Sequence, residues 1–209
     1  MSRMHLQNRV LPTGEIVSAP FRGTLTGNRG ILPFDASGQL GTSRWKHQHW
    51  IICTLTHPRG RYHGPQPARG WTPLFFLNEA VALAAGHRPC AYCRPQAYRA
   101  WQRAWIDAHG DPSGHKEMDA ALHAARVTRN RQQIRYFAGL RDLPDYTFVL
   151  FQEHPHMVLG QHLVPFAPDG NADPLLRHKV DDLQVEVLTP GPTVAVLASG
   201  YRPDVPEAR

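Results

Sequence analysis

The sequence predicts an α+β protein in two parts: a basic domain with several helices over residues 1–141, and a small acidic β-rich domain over residues 142–209. Three observations predict it. Apolar residues follow helical spacing through the middle of the chain and switch to short strand-like runs after Asp145. The charge changes sign at the same place. Residues 1–141 hold 19 Lys and Arg against 7 Asp and Glu, a balance of +12, whereas residues 142–209 hold 4 against 10, a balance of −6. Lastly, the cysteines number three, an odd count that does not suit a disulfide framework.

The elements follow in order. Residues 1–43 are rich in Gly, Thr, Pro and Asn, with turns at residues 27–30 and 35–41. Residues 45–55 read as a strand, with Trp50, Ile51, Ile52 and Leu55 as β-formers around Cys53. Residues 57–73 carry Gly and Pro throughout and form a loop. Residues 74–85 (LFFLNEAVALAA) read as a helix, with Asn78 capping its regular part and Gly86 ending it. A second helix begins at Pro95, a favoured first-turn residue, with Tyr98, Trp101 and Trp105 on one face. Residues 116–126 give a third helix with Met118, Leu122 and Ala125 inward. Residues 129–139 give a fourth, with Ile134 and Phe137 inward. Pro144 lies in the boundary segment, residues 142–145. Beyond it, residues 148–151, 157–159, 162–166 and 185–188 are strands, and residues 193–199 a closing helix.

Hydrophobic residues make up 42% of the 209, enough for a core, and no run approaches the roughly 18 apolar residues of a membrane span. No apolar stretch follows Arg3, so a cytoplasmic location is expected. No glycine-rich nucleotide loop, G-x-S-x-G elbow or H-E-x-x-H occurs, which argues against P-loop ATPase, α/β-hydrolase and zincin chemistry.

Cys90-Ala-Tyr-Cys93 is a C-x2-C knuckle, a spacing that turns two thiolates toward one tetrahedral Zn2+. Cys53 and His57, at C-x3-H spacing, complete a Cys3His set. His87 and His63 are the other candidates for the fourth place. A thioredoxin-like redox pair would need the C-x2-C at a helix start directly after a strand in a βαβ unit; here a helix and a glycine turn precede it.

Residues 79–95, EAVALAAGHRPCAYCRP, resemble the end of the zinc-binding N-terminal domain of the Ada DNA-repair proteins, a helix running into A-G-(aromatic)-R-P-C-x2-C-x-P. The resemblance covers residues 45–105. It implies a zinc-stapled, Ada-like fold in which Cys53 and His57 stand where the family carries a C-x3-C pair. It further implies DNA as partner and Cys53 as acceptor of a methyl group from a phosphotriester. His87 stands in place of the aromatic residue, and His57 in place of a cysteine.

Two arginine groups suit phosphate: Arg88, Arg94, Arg99 and Arg103 around the knuckle, and Arg126, Arg129, Arg131, Arg135 and Arg141 further on. Asp119 and His123, one helical turn apart, are placed for a carboxylate-oriented general base. The reading that follows is a DNA-associated, repair-related protein with a mainly structural Cys3His zinc. The alternatives are an enzyme, either a Cys53 methyl acceptor or a metal-assisted nuclease using His123, and a zinc-stapled protein-interaction module.

Overall fold

A computed structural model describes residues 5–56, 58–59, 71–110, 114–169, 173–180 and 182–206. The stretch read as turns and loops at the start carries β1 (Gln7–Val10), β2 (Ile16–Ser18) and β3 (Leu25–Asn28), and β4 (Ile51–Thr54) follows. Next come β5 (Leu74–Phe76), α1 (Glu79–Ala84), β6 (Arg88–Pro89), α2 (Pro95–His109) and α3 (His115–Arg126). The chain continues with β7 (Tyr136–Gly139), β8 (Phe148–Phe151), β9 (His154–Leu159), β10 (His162–Pro165), β11 (Leu175–Leu176), β12 (Gln184–Val187) and α4 (Gly191–Ala198). The class is therefore α+β.

The strands form two six-stranded sheets, ordered β2-β1-β5-β3-β4-β6 and β11-β10-β9-β8-β12-β7. The second is antiparallel throughout. In the first, β4 pairs with β3 antiparallel and with β6 parallel, so the short β6 is held at the edge beside β4.

Two expected helices are corrected. Residues 74–76 alternate buried, half-buried, buried in β5, and the helix starts only after Asn78, whose Oδ1 accepts from the Val81 N–H at 3.0 Å. Residues 129–139 are not a helix. Arg131 adopts φ +66°, a turn conformation closed by the Arg131 N–H donating to the Thr128 carbonyl, and Tyr136–Gly139 pair with β12. Phe137, expected inward, is 70% exposed.

The main core joins Ile52, Phe76, residues 80–84 of α1, Trp101 and Trp105 of α2, and Met118 and Leu122 of α3. It also takes Phe148, Met157 and Leu188 from one face of the second sheet, and Val196, Leu197 and Tyr201 from α4 and beyond. The other face of that sheet buries Val149, Val158, Leu163, Val185 and Val187 against Leu140 and Leu143. A sheet covered on both faces explains the unbroken apolar run of β8. The main core draws residues from both sides of residues 141/142, and the second sheet begins at Tyr136.

Candidate metal centre

Local signals in the sequence build the cysteine site. Gly86 ends α1 at φ +81°; its N–H donates to the Leu83 carbonyl and the His87 N–H to that of Ala82, a Schellman stop. The chain leaves directly into β6, and the Cys90 N–H donates to the Ile52 carbonyl at 3.0 Å. That bond lays Cys90 beside Cys53 of β4. The knuckle then closes on itself: the Arg94 N–H donates to the Cys90 carbonyl at 2.9 Å, and the Cys93 N–H points at Cys90 Sγ at 3.5 Å. Pro95 follows as the first residue of α2.

The Arg94 guanidinium fixes the back of the knuckle. It forks onto the Glu79 carboxylate at 2.7 and 2.8 Å. The same carboxylate accepts from the Tyr201 hydroxyl at 2.6 Å and from the Asp204 N–H at 2.7 Å.

As a result the sulfurs of Cys53, Cys90 and Cys93 lie within 4.8 Å of one another. A tetrahedral zinc with sulfur at about 2.3 Å needs S···S edges of about 3.8 Å, a contraction within the reach of side-chain torsions. All three are free thiols. Without a cation the three share a single negative charge, centred on Cys90. A hydrogen bond from Cys53 and the backbone N–H groups of Cys93 and Tyr92 pull Cys90 down to about 5, against the effect of burial. The thiol of Cys53 is pushed up, first by that hydrogen bond to Cys90, then by burial and the charge of its neighbours. Burial and the Cys90 charge raise Cys93 to about 11. Three thiolates cannot share this space without positive charge, which a bound metal ion would supply. The three cysteines could therefore hold a metal ion. His57, expected as the fourth ligand, lies outside the described residues, as does His63. His87 is committed to the core: its Nε2 accepts from Arg29 Nε at 3.2 Å, and its ring packs between Trp50 and Phe76.

The arginines of the two groups differ in their surroundings. Arg88 is buried and spends its fork on Asp119, Nε to Oδ1 at 2.8 Å and Nη2 to Oδ2 at 2.7 Å. Arg94 serves Glu79. Arg126 is 1% exposed, donating to the carbonyls of Gly86 and Gln48. These three are internal and structural. Arg99, Arg103, Arg129, Arg131 and Arg135 are exposed.

The Asp119–His123 pairing does not form. Asp119, wholly buried, is instead taken by Arg88 and by His49, whose Nδ1 donates at 2.7 Å. Nδ1 of His123 faces Arg126 Nη2 at 3.1 Å, and its ring packs edge-on to Trp45 and Trp50. Burial and then the Arg126 charge hold the His123 imidazole below its ordinary value. The carboxylate-oriented histidine is thus His49, 70 residues away from Asp119 in sequence, with a half-exposed side chain. No local spacing marks that pair. Cys53 is only 3% exposed, and Cys93 is the most open of the three cysteines.

No described helix is long and apolar enough to cross a membrane. The chain matches no family model, no curated protein and no solved structure.

Proposed function

We propose that the chain is a zinc-binding, DNA-associated protein of the Ada-like type, with the zinc as a structural staple between β4 and the knuckle before α2. The convergence of Cys53, Cys90 and Cys93 carries this reading. When bound, zinc would compensate the thiolates and hold two segments 37 residues apart in sequence. The exposed Arg99 and Arg103 on α2, the helix that the knuckle feeds, support DNA as partner. The burial of Cys53 favours a staple over a methyl acceptor, since attack on a phosphotriester requires an accessible sulfur. Elemental mass spectrometry of protein purified without added metal is expected to give one zinc per chain. Duplex affinity measured from low to high salt is expected to fall steeply. Protein without metal and with three freely titrating thiols overturns the zinc reading; negligible duplex binding at low salt overturns the DNA reading.

One observation favours a second reading, a hydrolase. Asp119, itself locked by Arg88, orients the imidazole of His49 and leaves Nε2 available as a general base. Cleavage of a nucleic-acid substrate that is lost in His49→Ala and kept in His123→Ala would support it. Equal cleavage by both variants and the parent would remove it.

A further inference from the structure

A cavity of about 700 Å³ opens away from the cysteines, between the β1–β2 hairpin, the connection from β3 to β4 and the segment after α3. Arg29, Arg44, Arg126, Arg131 and Arg135 line it, against a single acid, Glu15, among the described residues. Sequence spacing united only the last three of these arginines; the fold adds Arg29 and Arg44.

Two of them are buried with no carboxylate in contact, and of the two only Arg126 has an acid, Asp119, near enough to favour its charge. Arg29 and Arg126 are 2% and 1% exposed, and they sandwich Trp50, with guanidinium carbons 3.8 and 3.9 Å from the ring centroid. Neither makes an ion pair among the described residues. Arg29 Nη2 and Arg126 Nε are buried with no hydrogen-bond partner there. Burial, then the charge of Arg44, lowers Arg29 to about 9; burial, then the charge of Arg29, lowers Arg126. Cation–π contact with one indole offsets only part of the cost of burying two like charges. An anion between them and the rim would offset the rest.

The cavity wall also includes a fixed amide and an aromatic side chain. Gln133 donates through Nε2 to the carbonyls of Pro12, Ala84 and Leu188, which fixes the amide and leaves Oε1 buried and unpaired. Trp45, half-buried, lines the cavity beside Trp50. Cations for a phosphate and an indole for a planar ring match the parts of one nucleotide.

We propose that this cavity is a nucleotide-binding site in which Arg44, Arg131 and Arg135, backed by the buried charges of Arg29 and Arg126, hold the phosphate and the base packs on Trp45. The site stands apart from the metal centre and from duplex binding, so either can fail without touching it. The same chemistry is offered by a free mononucleotide and by the phosphorylated end of a strand.

The test is titration of the full chain, followed by tryptophan fluorescence and calorimetry. The probes are adenosine 5′-monophosphate, adenosine, and single-stranded oligonucleotides with and without a 5′-phosphate. The monophosphate is expected to bind saturably at one site per chain, and adenosine at least about tenfold more weakly. Arg44→Gln and Arg131→Asn are rim changes that spare the buried sandwich, and asparagine tolerates the φ of +66° at residue 131. Each is expected to weaken binding by about tenfold with an unchanged unfolding midpoint. A phosphorylated oligonucleotide that binds more tightly than the monophosphate, with the same sensitivity to Arg131→Asn, assigns the source to a strand end. Weaker binding than the monophosphate assigns it to the free nucleotide. No saturable binding of any phosphorylated probe, adenosine binding as tightly as its monophosphate, or variants that bind like the parent would each overturn the proposal.

Discussion

His87 sits where a side chain must be both aromatic and an acceptor. Its ring fills the space between Trp50 and Phe76, and its Nε2 takes the Arg29 N–H. Burial first, then the charges of Arg29 and Arg126, hold the imidazole neutral well below its ordinary value of 6.5. In the unfolded chain the same ring takes up a proton near that ordinary value. The folded state is therefore favoured fully above pH 6.5 and loses stability as pH falls below it, by about 1.4 kcal/mol per pH unit for this one group. His87→Phe keeps the ring and removes the titration. Chemical unfolding between pH 7 and pH 5 is expected to show a slope shallower by about one proton in that variant. An unchanged slope would mean that other histidines carry the acid sensitivity. Asp119 is the opposite case, a buried charge fully paired. Asp119→Asn leaves Arg88 buried and half-paired and is expected to cost about 3 kcal/mol in denaturant unfolding. A loss under about 1 kcal/mol would show that water already screens the pair.

The elements around the knuckle were legible in the sequence because their signals are local. Gly86 as a helix stop, Pro95 as a helix start and the C-x2-C between them all act within a few residues, and each does what its chemistry dictates. Gly86 is required twice over: its φ is +81°, and a Cβ there would stand 2.5 Å from Arg126 Cδ and 3.0 Å from Arg126 Cβ. Gly86→Ala is expected to cost about 2 kcal/mol by thermal or denaturant unfolding, with Arg126 displaced. A neutral outcome would mean that the Schellman stop does not set the path into β6. Signals that act across the chain were not legible. Leu74 to Phe76 fit helix or strand equally as a short apolar run, and only pairing with β3 and β1 decides. Arg126 and Arg131 belong to one arginine group in the sequence, yet one is buried against Trp50 and the other turns the chain. No local pattern marks the early strands: β1 and β3 interleave polar residues with few β-branched ones, β2 is only three residues long, and their partners lie up to 66 residues away. The His49–Asp119 contact has the same origin: a loop residue before β4 meets α3 only after both have packed.

At the scale of the molecule, the acidic end of the chain braces the basic cysteine site. Tyr201 and Asp204 come from beyond α4, yet both bond Glu79, and Glu79 holds Arg94 at the back of the knuckle. A metal bound there is linked to the whole fold, because it binds the folded state and not the scattered thiols of the unfolded chain with the same geometry. Chelation is expected to cost about 4 kcal/mol at a zinc excess of about a thousand times Kd, which for a chain of this length lowers Tm by about 10 °C. Cys90→Ser should abolish the zinc dependence of Tm; a Tm insensitive to both chelator and substitution would deny the staple its role. The same bracing bears on how the chain unfolds. Residues 1–141 alone would leave β7 without β12, expose the Trp101 face that Tyr201 covers, and strip the main core of Phe148, Met157, Leu188, Val196 and Leu197. A fragment of residues 1–141 is therefore expected to be unfolded even with zinc, and the full chain to unfold in one transition by both circular dichroism and tryptophan fluorescence. A protease-resistant fragment ending near residue 142, or two separated transitions, would show instead that the charge change marks a physical seam and that the shared core contributes little to holding the halves together.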